Sequence, residues 1–187
     1  MLGMNTTQIS TLRGAALLLA ATLAVTLTAQ TTTTTQSTTA STTMMSDNSK
    51  LAHHDKVFFK KAAECGMKEV AVSQAVMGSL TNQQVKDFAN SIVTDHTAVN
   101  RELMALAMAK SVSLPAADAK LTEKWSEKSG NVDKKYVHEM MEDHEDAVKL
   151  FEKAAKSDDA DIAAFAQKTL PALQHHLQMA KDLKKTL

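Results

Sequence analysis

The chain has 187 residues, with 21 basic against 21 acidic side chains and only 4% aromatic residues. A neutral balance without a basic stripe excludes the electrostatic footprint of a nucleic-acid binder, and so few aromatics exclude a base-stacking platform. A single cysteine, Cys65, excludes an internal disulfide framework, so stability has to come from core packing.

Residues 1–29 read as a secretory signal peptide. Arg13 is the only charge, an apolar stretch starts at Gly14, and small residues precede a cut near Ala29. The apolar stretch is too short and too weakly flanked for a spanning helix, so the mature chain is expected to have no transmembrane helix. Its net charge is then near −1, since Arg13 is lost and no acid goes with it. Residues 30–54 read as a disordered Thr/Ser/Gln-rich linker, with consecutive threonines from Thr31 to Thr35. Such a segment cannot bury enough apolar surface to offset its ordering entropy. His53 and His54 close it as solvated side chains.

From Asp55 to the C-terminus the pattern is helical, with no strand alternation. The first helix is expected over residues 56–79, N-capped by Asp55. Its apolar stripe is Phe58, Ala62, Cys65, Glu69, Val72 and Val76. Thr81 and Gln84 have capping-box spacing and open a second helix that runs to Lys110. Its stripe passes through Phe88, Ile92, His96, Val99 and Leu103. A connection of about twenty residues follows, with Pro115 placed to start a short helix and with Leu121 and Trp125 as anchors. The third helix is expected over residues 131–157, with Val137, His144 and Phe151 inward. Asp158 or Asp159 caps a fourth that runs to Lys185, with Phe165, Leu173 and His176 inward and Pro171 kinking it. Two tight helical hairpins joined by a long connection predict an all-α fold, a ferritin-like antiparallel four-helix bundle spanning residues 55–187.

Each long helix carries one titratable residue in the middle of its apolar stripe: Glu69, His96, His144 and His176. The segment around Asp95-His96 recurs 48 positions later as Asp143-His144, with Phe88 falling on Tyr136 and Leu103 on Phe151. At about 1.5 Å per residue, all four inward groups lie roughly 18 to 27 Å from a helix end, near mid-height. One carboxylate and three imidazoles at one level make a chemically sensible site for one divalent transition metal: iron, zinc, manganese or copper. Asp95 and Asp143 read either as groups orienting a ligand histidine or as interhelix salt bridges. Asn100, one turn beyond His96, reads as a further supporting group or as a buried polar residue. The Glu-x-x-His spacing of di-iron bundles does not occur, which argues against oxidative di-iron chemistry. Neither a nucleophile–base pair nor a phosphate loop is found, so a third reading, an enzyme such as a metal-dependent peroxidase or oxidase, has little support in the sequence and stays open. The methionines, among them Met67, Met104, Met108 and Met140, fall at helical spacing and read as core filling.

The ordered motifs Phe58 through Val70, Val85-Lys86-Asp87-Phe88-Ala89, Val93-x-Asp95-His96, Met141-x-Asp143-His144, Leu150-Phe151 and Leu170-Pro171-x-Leu173-x-x-His176-Leu177 resemble the bacterial domain-of-unknown-function family 4142. The resemblance covers residues 55–185. It implies a ferritin-like bundle in exported, periplasmic or outer-membrane proteins, and no established activity. Glu69, Asp95, His96, Asn100, Asp143, His144, Pro171 and His176 match the family's motifs, whereas His175 does not. Cys65-Gly66 stands where the family has a double glycine.

Two functions fit these residues. One is an exported metal-binding bundle, for metal buffering or protection against oxidative stress. The other is a non-catalytic envelope protein with a metal-free polar core and a surface that binds a protein or cell-wall partner.

Overall fold

The computed structural model describes residues 51–125 and 130–187. The expected signal peptide, the expected linker before Leu51, and residues 126–129 of the long connection lie outside the described residues. Four helices make up the bundle: α1 (His53–Val76), α2 (Gln83–Ala109), α3 (Val132–Ala154) and α4 (Ala160–Thr186). Among the described residues no helix is long and apolar enough to cross a membrane.

The helix boundaries follow capping chemistry, with three departures from the sequence reading. Asn131 and Asp159 cap α3 and α4 through side-chain oxygens that accept backbone N–H bonds. α2 is capped by Asn82 rather than Thr81, because Thr81 is turned to Asp133 instead. α1 starts three residues before the expected position, so Asp55 lies inside its first turn and is not the N-cap. Asp55 is buried and accepts a hydrogen bond from Ser157 Oγ at 2.9 Å. In the connection, Pro115 starts no helix, and the ordered turn is a 3-10 segment at Ala119–Trp125 whose Trp125 is buried. α2 closes with Ser111 in the left-handed region (φ 53°), and Val112 N–H bonds Ala107 O at 2.8 Å.

Three polar ties give the helix directions. Asp133, at the start of α3, accepts from Thr81 N and Asn82 N at the start of α2. Lys110, at the end of α2, donates to Asp159 and Asp161 at the start of α4. The Asp55–Ser157 bond joins the start of α1 to the end of α3. Thus α2 and α3 run parallel, the connection spans the bundle's height, and each helix lies antiparallel to its neighbours in the order α1, α2, α4, α3. This is ferritin-type winding.

The apolar core falls into two clusters. One, at the α1-start end, holds Phe58, Phe59, Leu103, Phe151, Ile162 and Phe165. The other holds Val72, Val85, Phe88, Tyr136, Met140 and Leu183. Met140 is fully buried as expected, but Met104 and Met108 are solvent-exposed and fill no core. Between the two clusters lies a polar layer.

Candidate metal centre

The layer is made by one residue from each helix. Glu69 of α1, His96 of α2, His144 of α3 and His176 of α4 are all at most 4% exposed. They reach one level because each sits at mid-stripe, where the surrounding turns already commit that face to the interior. The three imidazole centroids are 5.2, 5.4 and 5.4 Å apart. One ring nitrogen from each histidine lies within 4.8 Å of the others.

Hydrogen bonds fix the tautomers of two of the three rings. His144 Nδ1 is 2.8 Å from the carbonyl oxygen of Met140, which can only accept, so Nδ1 carries the proton. His176 Nε2 is 2.9 Å from Asp95 Oδ2 and donates to that carboxylate. His96 Nδ1 lies 2.6 Å from Glu69 Oε2, an attractive contact when that nitrogen is protonated. The other nitrogen of each ring, His96 Nε2, His144 Nε2 and His176 Nδ1, is buried and has no hydrogen-bond partner. Three neighbouring rings therefore each keep one buried nitrogen without a partner in the same layer. Unmet buried polar atoms are costly, and a shared cation would satisfy all three at once.

Glu69 lies against two of the rings. Besides His96, its Oε1 is 3.4 Å from His144 Nδ1 and 3.5 Å from Cys65 Sγ. The two nitrogens of an imidazole point apart, so a carboxylate held at Nδ1 stands on the far side of the ring from Nε2. Burial pushes the Glu69 carboxyl up, but His96 and His144 prevail and hold it below the ordinary value. Burial pushes the His144 imidazole down against the attraction of Glu69. Burial, with His96 and His144 close by, pushes His176 down to about 4. Neutral imidazoles, the form that binds metal, are thus favoured at His144 and His176. Burial pushes the Cys65 thiol up, so it stays protonated beside Glu69.

The outer residues divide. Asp95 accepts a hydrogen bond from His176 on the adjacent helix. Asp143 forms a salt bridge, 2.7 Å from Lys68 Nζ, and Lys68 also reaches Glu139 at 3.0 Å. Asn100 packs over Gly66, whose missing Cβ leaves space for the Asn100 side chain. Pro171 is accommodated within a continuous α4.

A family model matches residues 40–183. The chain belongs to the family described as Domain of unknown function (DUF4142). Membership agrees with the resemblance carried by the motifs around Asp95-His96, Asp143-His144 and Pro171. No curated protein and no solved structure matches the chain. The family description supplies no reaction, so a function for this DUF4142 bundle has to rest on its own side chains.

Proposed function

We propose that this bundle binds one divalent transition metal ion through His96 Nε2, His144 Nε2 and His176 Nδ1. The observation that carries the reading is the meeting of three buried histidines, each with one ring nitrogen that has no hydrogen-bond partner and each offering a nitrogen within 4.8 Å of the others. Glu69 and Asp95 serve as carboxylates that hold ligand rings in the metal-binding tautomer, as carboxylate–histidine–metal triads do. Three imidazoles suit zinc, copper or iron better than manganese, which prefers oxygen donors. The ring nitrogens need to close from up to 4.8 Å to about 3.3 Å to share an ion at ligand distances of about 2.0–2.1 Å. The protein is exported to the periplasm or cell envelope by the leader at residues 1–29, where it buffers metal or protects against oxidative stress.

The measurement is metal content after gentle purification, with thermal shifts on adding zinc, copper, iron or manganese. Stoichiometric metal that is lost in His96→Ala and His144→Ala supports the reading. Metal-free protein that gains no stability from any of the four ions sinks it.

One observation favours a metal-free polar core, the second reading. Every histidine in the layer already has one partner, in Glu69, Met140 O or Asp95. In that case a buried water, with two protons, would serve two of the three open nitrogens. The same metal titration decides between the readings.

A further inference from the structure

The methionines of the described residues fall into two groups. Met140 is fully buried, and Met67, Met77, Met141 and Met179 pack against the apolar clusters. Met104 and Met108 belong to neither cluster and are 54% and 74% exposed. They stand four residues apart on α2, so both thioethers lie on one outer face of the helix.

Neither core packing nor helix propensity accounts for methionine at these two positions. Lys, Glu or Gln serves an exposed helical position equally well. What methionine adds is a sulfur that accepts an oxygen atom from a peroxide and gives it up again on reduction. A sulfoxide is polar, so forming one at Met140 would disrupt the packing around it. At Met104 and Met108 the new polar group stands in water.

The surroundings of Met104 suit the oxidised product. Met104 lines a surface groove between α1 and α2 together with Met67, Gln74, Asn100 and Arg101. Arg101 precedes Met104 by three residues, which makes the two neighbours on the helix surface. Arg101 is exposed and has no hydrogen-bond or ion-pair partner among the described residues. A guanidinium carries only donors, so it matches a sulfoxide oxygen and repels a soft metal cation at the same sulfur. The single thiol, Cys65, does not compete, because burial pushes it up and little of the reactive thiolate is present.

We propose that Met104 and Met108 form a reversible oxidation site for hydrogen peroxide, a sink that consumes oxidant while the bundle stays folded, with Arg101 receiving the Met104 sulfoxide oxygen. The thioether sulfur attacks one peroxide oxygen. An S–O bond forms, the O–O bond breaks, and the second oxygen leaves as water with both hydrogens. Each sulfur is oxidised by two electrons and each peroxide is reduced by two. Sulfoxide reductases working with a dithiol reverse the step: the oxygen leaves as water and the dithiol becomes a disulfide. The site goes beyond the metal reading and does not require it, because no residue of the histidine layer takes part.

The test exposes the purified, chelator-treated full chain to graded hydrogen peroxide and follows each methionine by peptide mass mapping. Met104 and Met108 are expected to oxidise ahead of Met67, Met77, Met141 and Met179, and about tenfold or more faster than Met140, which reacts only when the bundle opens. Cys65 is expected to remain reduced. The oxidised protein is expected to melt within about 2 °C of the parent, the range of a surface change. Sulfoxide reductases with a dithiol should restore both thioethers. In Arg101→Ala, oxidation should lower Tm further than it does in the parent. Met104→Leu with Met108→Leu should keep Tm and lose the early oxygen uptake. Oxidation of any other described methionine at the same rate, a Tm loss well beyond that range, failure of the reductases to reverse the change, or equal Tm losses in the parent and Arg101→Ala overturns the proposal.

Discussion

Asp95 of α2 reaches across to α4 and holds His176 Nε2 at 2.9 Å, while the carboxylate itself stays 49% exposed. Orientation and stability are therefore separable at this residue. Asp95→Ala is expected to change unfolding free energy by no more than about 1 kcal/mol, as exposed pairs do. Metal affinity should fall about 10- to 100-fold, as when a supporting carboxylate is removed. Chelator competition measures the second quantity, and an unchanged affinity would show that His176 needs no orienting partner.

Glu69 should behave in the opposite way. It is 1% exposed and is bound up with two rings and a thiol, so its loss strands buried groups. Glu69→Ala is expected to cost about 3 kcal/mol, the lower end for removing one member of a buried pair. Denaturant unfolding of the metal-free protein measures this, with Glu69→Gln as the milder companion because it keeps the shape. A loss below about 0.5 kcal/mol, the range of ordinary surface substitutions, would contradict the buried pairing.

Acid should loosen the bundle in two stages. His144 and His176 have folded values below the ordinary 6.5 of a histidine, His176 at about 4. The unfolded chain takes up those protons first. The stabilisation is full above about 6.5 and is lost as pH falls toward 4. Glu69, held below its ordinary 4.5, contributes stability that is present above that value and is lost as pH falls further. Tm of the metal-free protein should therefore be level above pH about 6.5 and decline below it, with a shallower decline in His176→Leu. Equal slopes in the parent and in His176→Leu would contradict the assignment.

Gly66 lies under the Asn100 side chain, and a Cβ there would run into Asn100 Oδ1. Gly66→Ala alone sets this clash against a helix-propensity gain of about 1 kcal/mol. Asn100→Ala removes the obstacle, so adding Gly66→Ala to that variant should raise stability by up to about 1 kcal/mol. A double-mutant cycle from thermal melts checks the coupling.

How much of this was legible in the sequence depends on how local the signal is. The four helices follow from period, and the cap at Asp159 from a residue adjacent to the helix it starts, whereas Asn131, read as the first residue of its helix, is its cap. Glu69, His96, His144 and His176 are visible because each interrupts an apolar stripe. Their division of labour is not, because hydrogen bonds between residues far apart decide which nitrogen is left over. Asp55 and Thr81 look like caps in sequence, but Ser157 and Asp133 claim them, 102 and 52 residues away. The buried Ser73–Tyr136 bond, 2.7 Å long, left no local trace for the same reason. Asp143 was readable only as one of two alternatives, and Lys68, on another helix, selects the salt bridge.

The three open nitrogens are unequally distributed over the two hairpins. The α1–α2 hairpin supplies only His96, whereas α3–α4 supplies His144 and His176. Neither hairpin alone can surround an ion. An ion held there would act as a latch between the two hairpins, added to the polar ties and apolar core that already join them, and would favour the docked bundle by mass action. α1 contributes no open nitrogen, so outward movement of α1 would withdraw Glu69 and leave the latch itself fastened. A metal-loaded protein should therefore fray at α1 first, and hydrogen exchange would reveal this as early loss of protection in α1 while α2, α3 and α4 remain protected together.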